Sequence, residues 1–396
     1  MMVENTSAPN TLLWQGSSLL AAKQRLAAAD PQLLPAYAKL LRDAEKALTA
    51  GPFSVMDKPF TPPSGDKHDY YSIGPYWWPN PDTADGLPYI RRDGEVNPER
   101  ERFDASQRSH MENAVITLAL AYYFSEEERF AAHAAELLHA WFLAPAISMN
   151  PHLQYGQAVP GRNEGRGTGI IETRMFTRLV DAVQLLTASA TYSLSELDNL
   201  RVWFRAYLDW LLNSKHGHDE AAAPNNHGTW YDVQVVTFAL FVDDQATARR
   251  IVTERASRRI STQIAADGSQ PRELERTRSL SYSLMNLTAM MDLADLGRHV
   301  GVDLWQSVPT KGRRWWPFGA TAAAGIQQAV DYLLVNAVEQ SWARQQITDL
   351  SAGDLFSIFQ RAYLAYHDER YRQALTHLSS PVPLADRAQL LYAASG

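Results

Sequence analysis

Pro224-Asn225-Asn226-His227-Gly228-Thr229-Trp230-Tyr231-Asp232 sets two adjacent amides and an imidazole where a loop gives way to an apolar-periodic run. That run (Trp230, Val233, Val236, Thr237, Leu240, Phe241) predicts a helix of about three turns. Asn225 or Asn226 is placed to cap it. Two readings are open at this point. One is a capped helix start with a histidine packed beside it, since both residue types serve structural ends. The other is a polar constellation that carries chemistry.

Outward from this stretch, helical periodicity dominates. Helices are predicted from Pro31 to Leu48, stopped by Gly51-Pro52, and then in pairs. Ala105 to Phe124 pairs with Glu127 to Phe142, and Thr173 to Ala190 with Ser195 to Leu212. Ser195-Glu196-Leu197-Asp198 reads as a capping-box-like opening with Asp in place of Glu. Further helices are predicted from Thr229 to Val242, Gln245 to Ala266, Arg278 to Leu296, Gly325 to Gln340 and Asp354 to His367. Strand-like alternation is nearly absent. Helix pairs of similar length without an exact repeat argue an all-α chain, an α-solenoid or an α/α toroid. One domain over residues 1–396 is expected.

Two long non-helical stretches interrupt the pairs, residues 52–103 and 145–169. The first contains Asp66-Lys67-His68-Asp69-Tyr70-Tyr71-Ser72-Ile73-Gly74-Pro75-Tyr76-Trp77-Trp78-Pro79, and the second His152-Leu153-Gln154-Tyr155-Gly156-Gln157 and Arg162-Asn163-Glu164. Loops this long inside a compact domain are usually functional or disordered, and both are too aromatic to be simple linkers. They are expected to rim a cleft at one end of the helical scaffold.

The bulk numbers narrow the function. The formal charge of −7 argues against a nucleic-acid partner, which would call for a basic face. The absence of cysteine excludes disulfides, Cys metal ligands and thiol catalysis. No apolar run approaches the roughly 18 residues of a membrane span. Met1-Met2-Val3-Glu4-Asn5 lacks the basic-then-apolar pattern of a signal peptide, so the chain either stays inside the cell or has had its export signal removed. Eleven Trp and seventeen Tyr suit a carbohydrate site as well as a core.

A second constellation lies in Asp267-Gly268-Ser269-Gln270-Pro271-Arg272-Glu273-Leu274-Glu275-Arg276-Thr277-Arg278-Ser279-Leu280-Ser281-Tyr282. Arg272, Arg276 and Arg278 crowd the positive end of a predicted helix, which dipole logic disfavours unless an anion is present. The blander reading is a surface salt network with Glu273 and Glu275. Arg278 and Tyr282, four apart, would share a helix face; Arg276 aligns only if it precedes the first regular turn.

Taken together, Asn225-Asn226-His227, the later Asp-Gly-Ser…Glu-Leu-x-Arg…Leu-x-Tyr pattern and the His68-to-Pro79 loop resemble the alginate lyase superfamily of polysaccharide lyases. The loop looks like the signature of its alginate-lyase-like branch, which acts on alginate or glucuronan. The resemblance runs from about Asp57 to about Phe359. It implies an incomplete (α/α) toroid with the cleft on one face, and a periplasmic or secreted enzyme, with a cytoplasmic one left open. The family's Asn-His pair falls on Asn226 and His227, its Tyr on Tyr282 and its Arg on Arg276. The Arg-to-Tyr interval of six is one shorter than in the best-known alginate lyases, so Arg278 competes for the arginine role.

These residue types suit β-elimination at a uronate. The C5 proton is weakly acidic, and ionic or hydrogen-bond donors on the carboxylate must stabilise the developing enolate-like charge. Asn226, His227 and Arg276 are the candidates. In mannuronate and glucuronate the C5 proton and the C4 oxygen lie on one side of the ring. A single Tyr282 can then act as base and afterwards as acid, with nearby cations favouring its phenolate. Neighbouring sugars of an anionic polysaccharide or oligosaccharide would meet Tyr70, Tyr71, Tyr76, Trp77 and Trp78 as stacking faces. Lys67, His68, Arg162 and Arg278 would offer charge, and Asn225, Gln154, Tyr155 and Gln157 hydrogen bonds. At least one of Trp77 and Trp78 is expected to pack inward as an anchor. Arg313-Arg314-Trp315-Trp316 repeats the aromatic–basic theme. No metal or cofactor is called for. His216-Gly217-His218-Asp219 is read as a solvated loop in preference to a zinc site. The competing functions are a glycoside hydrolase drawing on Glu164, Glu172 or Asp232, in which no carboxylate pair stands out, and a non-catalytic uronan-binding protein. The sequence leaves open mannuronan against glucuronan, endo against exo cutting, and the oligomeric state.

Overall fold

The computed structural model describes residues 7–306, 324–349, 352–378 and 385–393. The predicted helices form, with shifts at their ends. In chain order the elements are α1 (Gly16–Ala27), α2 (Leu34–Ala47), β1 (Tyr71–Ile73), β2 (Trp77–Trp78), β3 (Ile90–Arg91), α3 (Asp104–Ser125), α4 (Glu128–Leu138), β4 (Tyr155–Ala158), α5 (Phe176–Leu186), α6 (Leu194–Asn213), α7 (Lys215–Ala221) and α8 (Asn226–Phe241). They continue with α9 (Gln245–Ile251), α10 (Ser257–Gln263), α11 (Pro271–Leu274), α12 (Ser279–Arg298), α13 (Ile326–Leu333), α14 (Ala352–Tyr366), α15 (Glu369–Leu378) and α16 (Ala388–Leu391). The predicted helix from Gln245 to Ala266 runs without a break from Gln245 to Gln263, with a wider π-helical turn at Val252–Ala256 between α9 and α10. The Arg313–Trp316 motif lies outside the described residues. No helix among the described residues is long and apolar enough to cross a membrane.

The chain packs as two compact units. One comprises Lys39–Ala223 and Thr237–Asp244. Here α3 is buried on nearly every side, through Met111, Val115, Leu118 and Leu120 among others, and packs against α4 and α5. Glu126, in the left-handed conformation with φ 61°, turns the chain from α3 into α4. An aromatic cluster of Phe142, Phe176, Trp203, Phe204, Tyr207 and Phe238 fills this unit's core. Its edge-on pairs include Phe142–Trp203 at 4.7 Å between ring centres. The cap of α6 sits two residues before the predicted one. Ser193 accepts the N–H of Glu196, and the Glu196 carboxylate reaches back to the Ser193 N–H.

Both aromatic stretches belong to this unit, and they fold onto each other. β1 pairs with β4 in parallel, Tyr71 opposite Tyr155 and Ile73 opposite Ala158. β2 and β3 form a small antiparallel ribbon within the first stretch. The Gly74 N–H donates to the Ala158 carbonyl, and that of Tyr89 to Pro160. A buried ion pair anchors the arrangement: Lys58 Nζ lies 3.0 Å from Asp104 Oδ2, which also accepts the Tyr71 N–H at 2.8 Å.

The other unit comprises Met1–Ala38, Pro224–Val236 and Gln245–Gly396. The part of α8 within it, Asn226–Val236, and α12 are enclosed on most sides, so neither shows a strong apolar stripe. α12 buries Leu284, Leu287, Met290 and Leu293, and offers Asp292 and Asp295 to Arg361 of α14 at 2.9 and 2.7 Å. On α8, Asp232 is held between Arg255 and Arg259.

Candidate catalytic cluster

The four N–H groups that open a helix have no partner within it. At the start of α8 this need is met from a distance. The Asn226 N–H donates to Glu273 Oε1 at 2.8 Å, and Asn226 Nδ2 donates to Glu273 Oε2 at 2.7 Å. The Asn226 side chain therefore does not cap its own helix. Glu273 belongs to α11, a single turn opened by Pro271. It is 1% exposed, so it is not the surface acid that the Arg-rich pattern suggested. Burial pushes its carboxyl above the ordinary value, while the two bonds from Asn226 and the charges of Arg276 and His227 pull it down.

A buried polar network fixes α11 to its neighbours. Asn286 of α12 donates to Gln270 and to Gln263, Thr229 of α8 donates to Gln263, and Gln270 donates to the Ser283 carbonyl. Ahead of α11, Gly268 adopts φ 84°, and a β-carbon there would collide with the Gln328 carbonyl. The turn thus requires glycine.

Arg276 lies between α11 and α12, outside any regular turn. Its guanidinium carbon stands 3.8 Å from the centre of the Tyr282 ring, on the first turn of α12. Six residues apart in sequence, the guanidinium thus lies over the ring. Arg278 takes another course: it precedes α12, bridges to Gln346, and donates from Nε to Thr348 Oγ1 at 3.0 Å. The N–H groups of Leu280 and Ser281 donate to Gln346 Oε1, so an uncharged amide supports the helix start. His227 is half-buried on the first turn of α8, close enough to Glu273 for its charge to act on that carboxyl. One unit therefore brings together Asn226, His227, Glu273, Arg276 and Tyr282, and ties Arg278 elsewhere. Asn225 is half-buried, and its carbonyl accepts the Thr229 N–H.

The other predicted residues lie in the loop-bearing unit. Tyr70 requires a correction: it is fully buried, its hydroxyl donates to Glu172 and accepts from Arg108, and it has no ring face left for a sugar. Lys67 and His68 brace the loops, through Lys67 Nζ on the Met56 carbonyl and His68 Nδ1 on the Ser148 carbonyl. Gln157 is nearly buried in the left-handed region at φ 49°, and its Oε1 accepts from Arg166. Tyr71, Tyr76 and Tyr155 are half-buried, and Gln154 and Arg162 are exposed. Burial and the nearby Glu164 and Glu99 hold the Tyr71 phenol above its usual range. Trp77 and Trp78 are both half-buried, and Trp78 Nε1 donates to the Glu95 carbonyl at 3.0 Å. Arg162 and Arg166 lie over Trp77 at 5.3 and 5.7 Å, and Arg92 over Trp78 at 5.1 Å. Arg92 and Arg166 were absent from the sequence candidates; the only signal for them was their place within the same aromatic stretches.

The carboxylates considered for a hydrolase are spoken for or open. Glu172 is buried and accepts from Tyr70 and Ser72, Asp232 is held by its two arginines, and Glu164 is exposed. The His216–Asp219 stretch is helical, within α7, and not a loop; the His218 ring bonds the Leu212 carbonyl, and Asp219 pairs with Lys215.

Residues 54–343 match the family model described as alginate lyase. The structure of an alginate lyase from Bacteroides ovatus superimposes with a TM-score of 0.89 at 36% identity, over 97% of this chain and 99% of that one. Two tetrasaccharide complexes of alginate lyase A1-III share the fold at lower identity. A His-to-Ala variant gives a TM-score of 0.55 at 17% identity, covering 92% of this chain and 96% of that one. A Tyr-to-Phe variant gives 0.58 at 16%, covering 94% of each. The comparison with curated proteins gave no match. The fold class is thus the all-α, (α/α)-toroid class of the alginate lyases, and the chain belongs to the alginate lyase family of polysaccharide lyases.

Proposed function

We propose that this lyase cleaves a β-1,4-linked uronan, polymannuronate or glucuronan, by β-elimination that leaves an unsaturated uronate end. The observation that carries the reading is the Arg276–Tyr282 stack, 3.8 Å from guanidinium carbon to ring centre, in the same unit as Asn226 and His227. Tyr282 takes the C5 proton. The electron pair released at C5 forms the C4–C5 double bond as the C4–O bond breaks, and Tyr282 returns a proton to the departing oxygen. Arg276, His227 and Asn226 surround the C5 carboxyl and stabilise the charge that builds there. One tyrosine serving both steps favours substrates whose C5 proton and C4 oxygen lie on the same side.

In the loop-bearing unit, Tyr71, Tyr76, Trp77 and Tyr155 are proposed as sugar-stacking or hydrogen-bonding groups, and Gln154 and Arg162 as polar contacts. The arginines over Trp77 and Trp78 suit an anionic chain. A polymeric substrate argues for a periplasmic or secreted enzyme.

The test is incubation with polymannuronate, polyguluronate, glucuronan and hyaluronan while the absorbance of the new double bond is followed. Rising absorbance with polymannuronate or glucuronan is expected. No absorbance with any of the four, or a strong preference for polyguluronate, would overturn the reading.

A further inference from the structure

The elimination chemistry assigns no task to Glu273, yet both its oxygens are committed to one residue, Asn226. A side-chain amide has a donating end and an accepting end, and a carboxylate can hold only the donating one. With Nδ2 bound to Glu273, the other end is Oδ1. That atom is buried and has no hydrogen-bond partner among the described residues, in a side chain 1% exposed. An acceptor left this way keeps its desolvation penalty unrecovered, and such a group in a native fold calls for an explanation. Resting on the lyase reading above, we propose that Glu273 is a positioning residue: its carboxylate locks the Asn226 amide so that the carbonyl oxygen faces the uronate.

Asn226 then meets the substrate carboxyl as an acceptor, and Arg276 and His227 act as the donors. As the C5 proton leaves, charge spreads onto the carboxyl oxygens and makes them more basic. The carboxyl binds carrying one proton drawn from solvent; the Asn226 carbonyl oxygen accepts a hydrogen bond from it and keeps it on that oxygen while C5 is deprotonated, and the proton returns to solvent when the product carboxylate leaves. No proton is consumed overall. Glu273 can sustain this only while ionised. Once protonated, its Oε2–H would donate to Oδ1, and the amide would present Nδ2 instead.

Glu273→Gln imposes the same reversal at nearly constant volume, because the glutamine Nε2–H donates where the carboxylate accepted. The expected result is a melting temperature within a few degrees of wild type, KM little changed, and kcat lowered about 10²-fold, the scale for losing an oriented polar group. A role confined to holding the fold would move the melting temperature and leave kcat alone. The second measurement is the pH profile of kcat in the wild-type enzyme. The charged groups that face Glu273 are Arg276 and His227. Activity should be lost as pH falls through an acid limb above the ordinary glutamate value, and Glu273→Gln should lack that limb. A variant with kcat within twofold of wild type, or a wild-type profile with no such limb, would overturn the proposal. Wild-type enzyme that releases no unsaturated product from any uronan would instead remove the lyase reading beneath it.

Discussion

The guanidinium of Arg276 stacks on the ring of Tyr282 at 3.8 Å, while Arg278, two residues further on, is bound to Thr348. Sequence spacing left both arginines as candidates, and the path of the chain separates them. Arg276→Ala is expected to lower turnover roughly 10²-fold, the scale for losing a group that stabilises developing charge, with the fold retained. Arg278→Ala removes a contact that ties the start of α12 to the 346–348 segment. It should cost a little thermal stability and leave kcat within a few-fold. Steady-state kinetics and melting curves of the two variants decide this; a silent Arg276→Ala beside a dead Arg278→Ala would exchange the roles.

Tyr282→Phe separates chemistry from packing. The ring stays on α12 beneath Arg276, and a phenylalanine face still attracts a cation. Melting temperature and oligosaccharide binding should hardly move. Release of unsaturated product should stop, since losing a general acid–base group costs about 10²-fold or more. Retention of more than about a tenth of wild-type turnover would return Tyr282 to a packing role and make His227 the candidate base.

What the sequence disclosed and what it hid follow from locality. Helical periodicity is a local signal, and the predicted helices form with displaced ends. Asn226-His227 and the Arg276–Tyr282 pattern are contiguous motifs, so their resemblance to a family was legible. Glu273 was not, because Arg272-Glu273-Leu274-Glu275-Arg276 has the alternating charges of a solvated face. Only folding across 47 residues joins Glu273 to Asn226. Gln346 was missed for the same reason, reaching back to α12 from beyond α13. Tyr70 and Tyr71 looked equivalent, but neighbours along extended chain point to opposite sides, and one is buried while the other is half-exposed. The strands that decide this hold two to four residues each, too few for alternation to register.

Gly268→Ala probes the turn that presents α11. At φ 84° an L-residue is strained, and the added β-carbon meets backbone at Gln328, which cannot rotate aside. The strain and clash together should cost at least about 2 kcal/mol. A shifted α11 would also displace Glu273 and through it Asn226, so kcat should fall together with stability. Calorimetry and kinetics on the same preparation test this. A variant as stable as wild type would show that the turn can relax.

Lys58→Met addresses the anchor of the aromatic loops. Lys58 Nζ pairs with Asp104, both side chains out of solvent, and also donates to the carbonyls of Val55 and Lys67. Removing one member of a buried pair strands the other, which typically costs 3–5 kcal/mol, about the scale expected here. The penalty should depend on pH, and the sign can be worked out. Burial pushes the Asp104 carboxyl up to about 7, against the pull of Lys58 and the Tyr71 N–H. Between its ordinary value of 3.8 and that raised one, the folded state keeps a proton that the unfolded state releases. Stability therefore falls as pH rises through that window. Without the lysine, Asp104 rises further and the falling window extends upward. At pH 5 the variant can keep Asp104 neutral, and it is also spared a buried ammonium, whose own pKa burial pulls down. At pH 8 it must either ionise a stranded carboxylate or hold its proton at a cost. The melting-temperature deficit of Lys58→Met should thus be larger at pH 8 than at pH 5. Equal deficits at the two pH values would mean that Lys58 holds the loops through its carbonyl contacts and packing, with no net electrostatic support to Asp104.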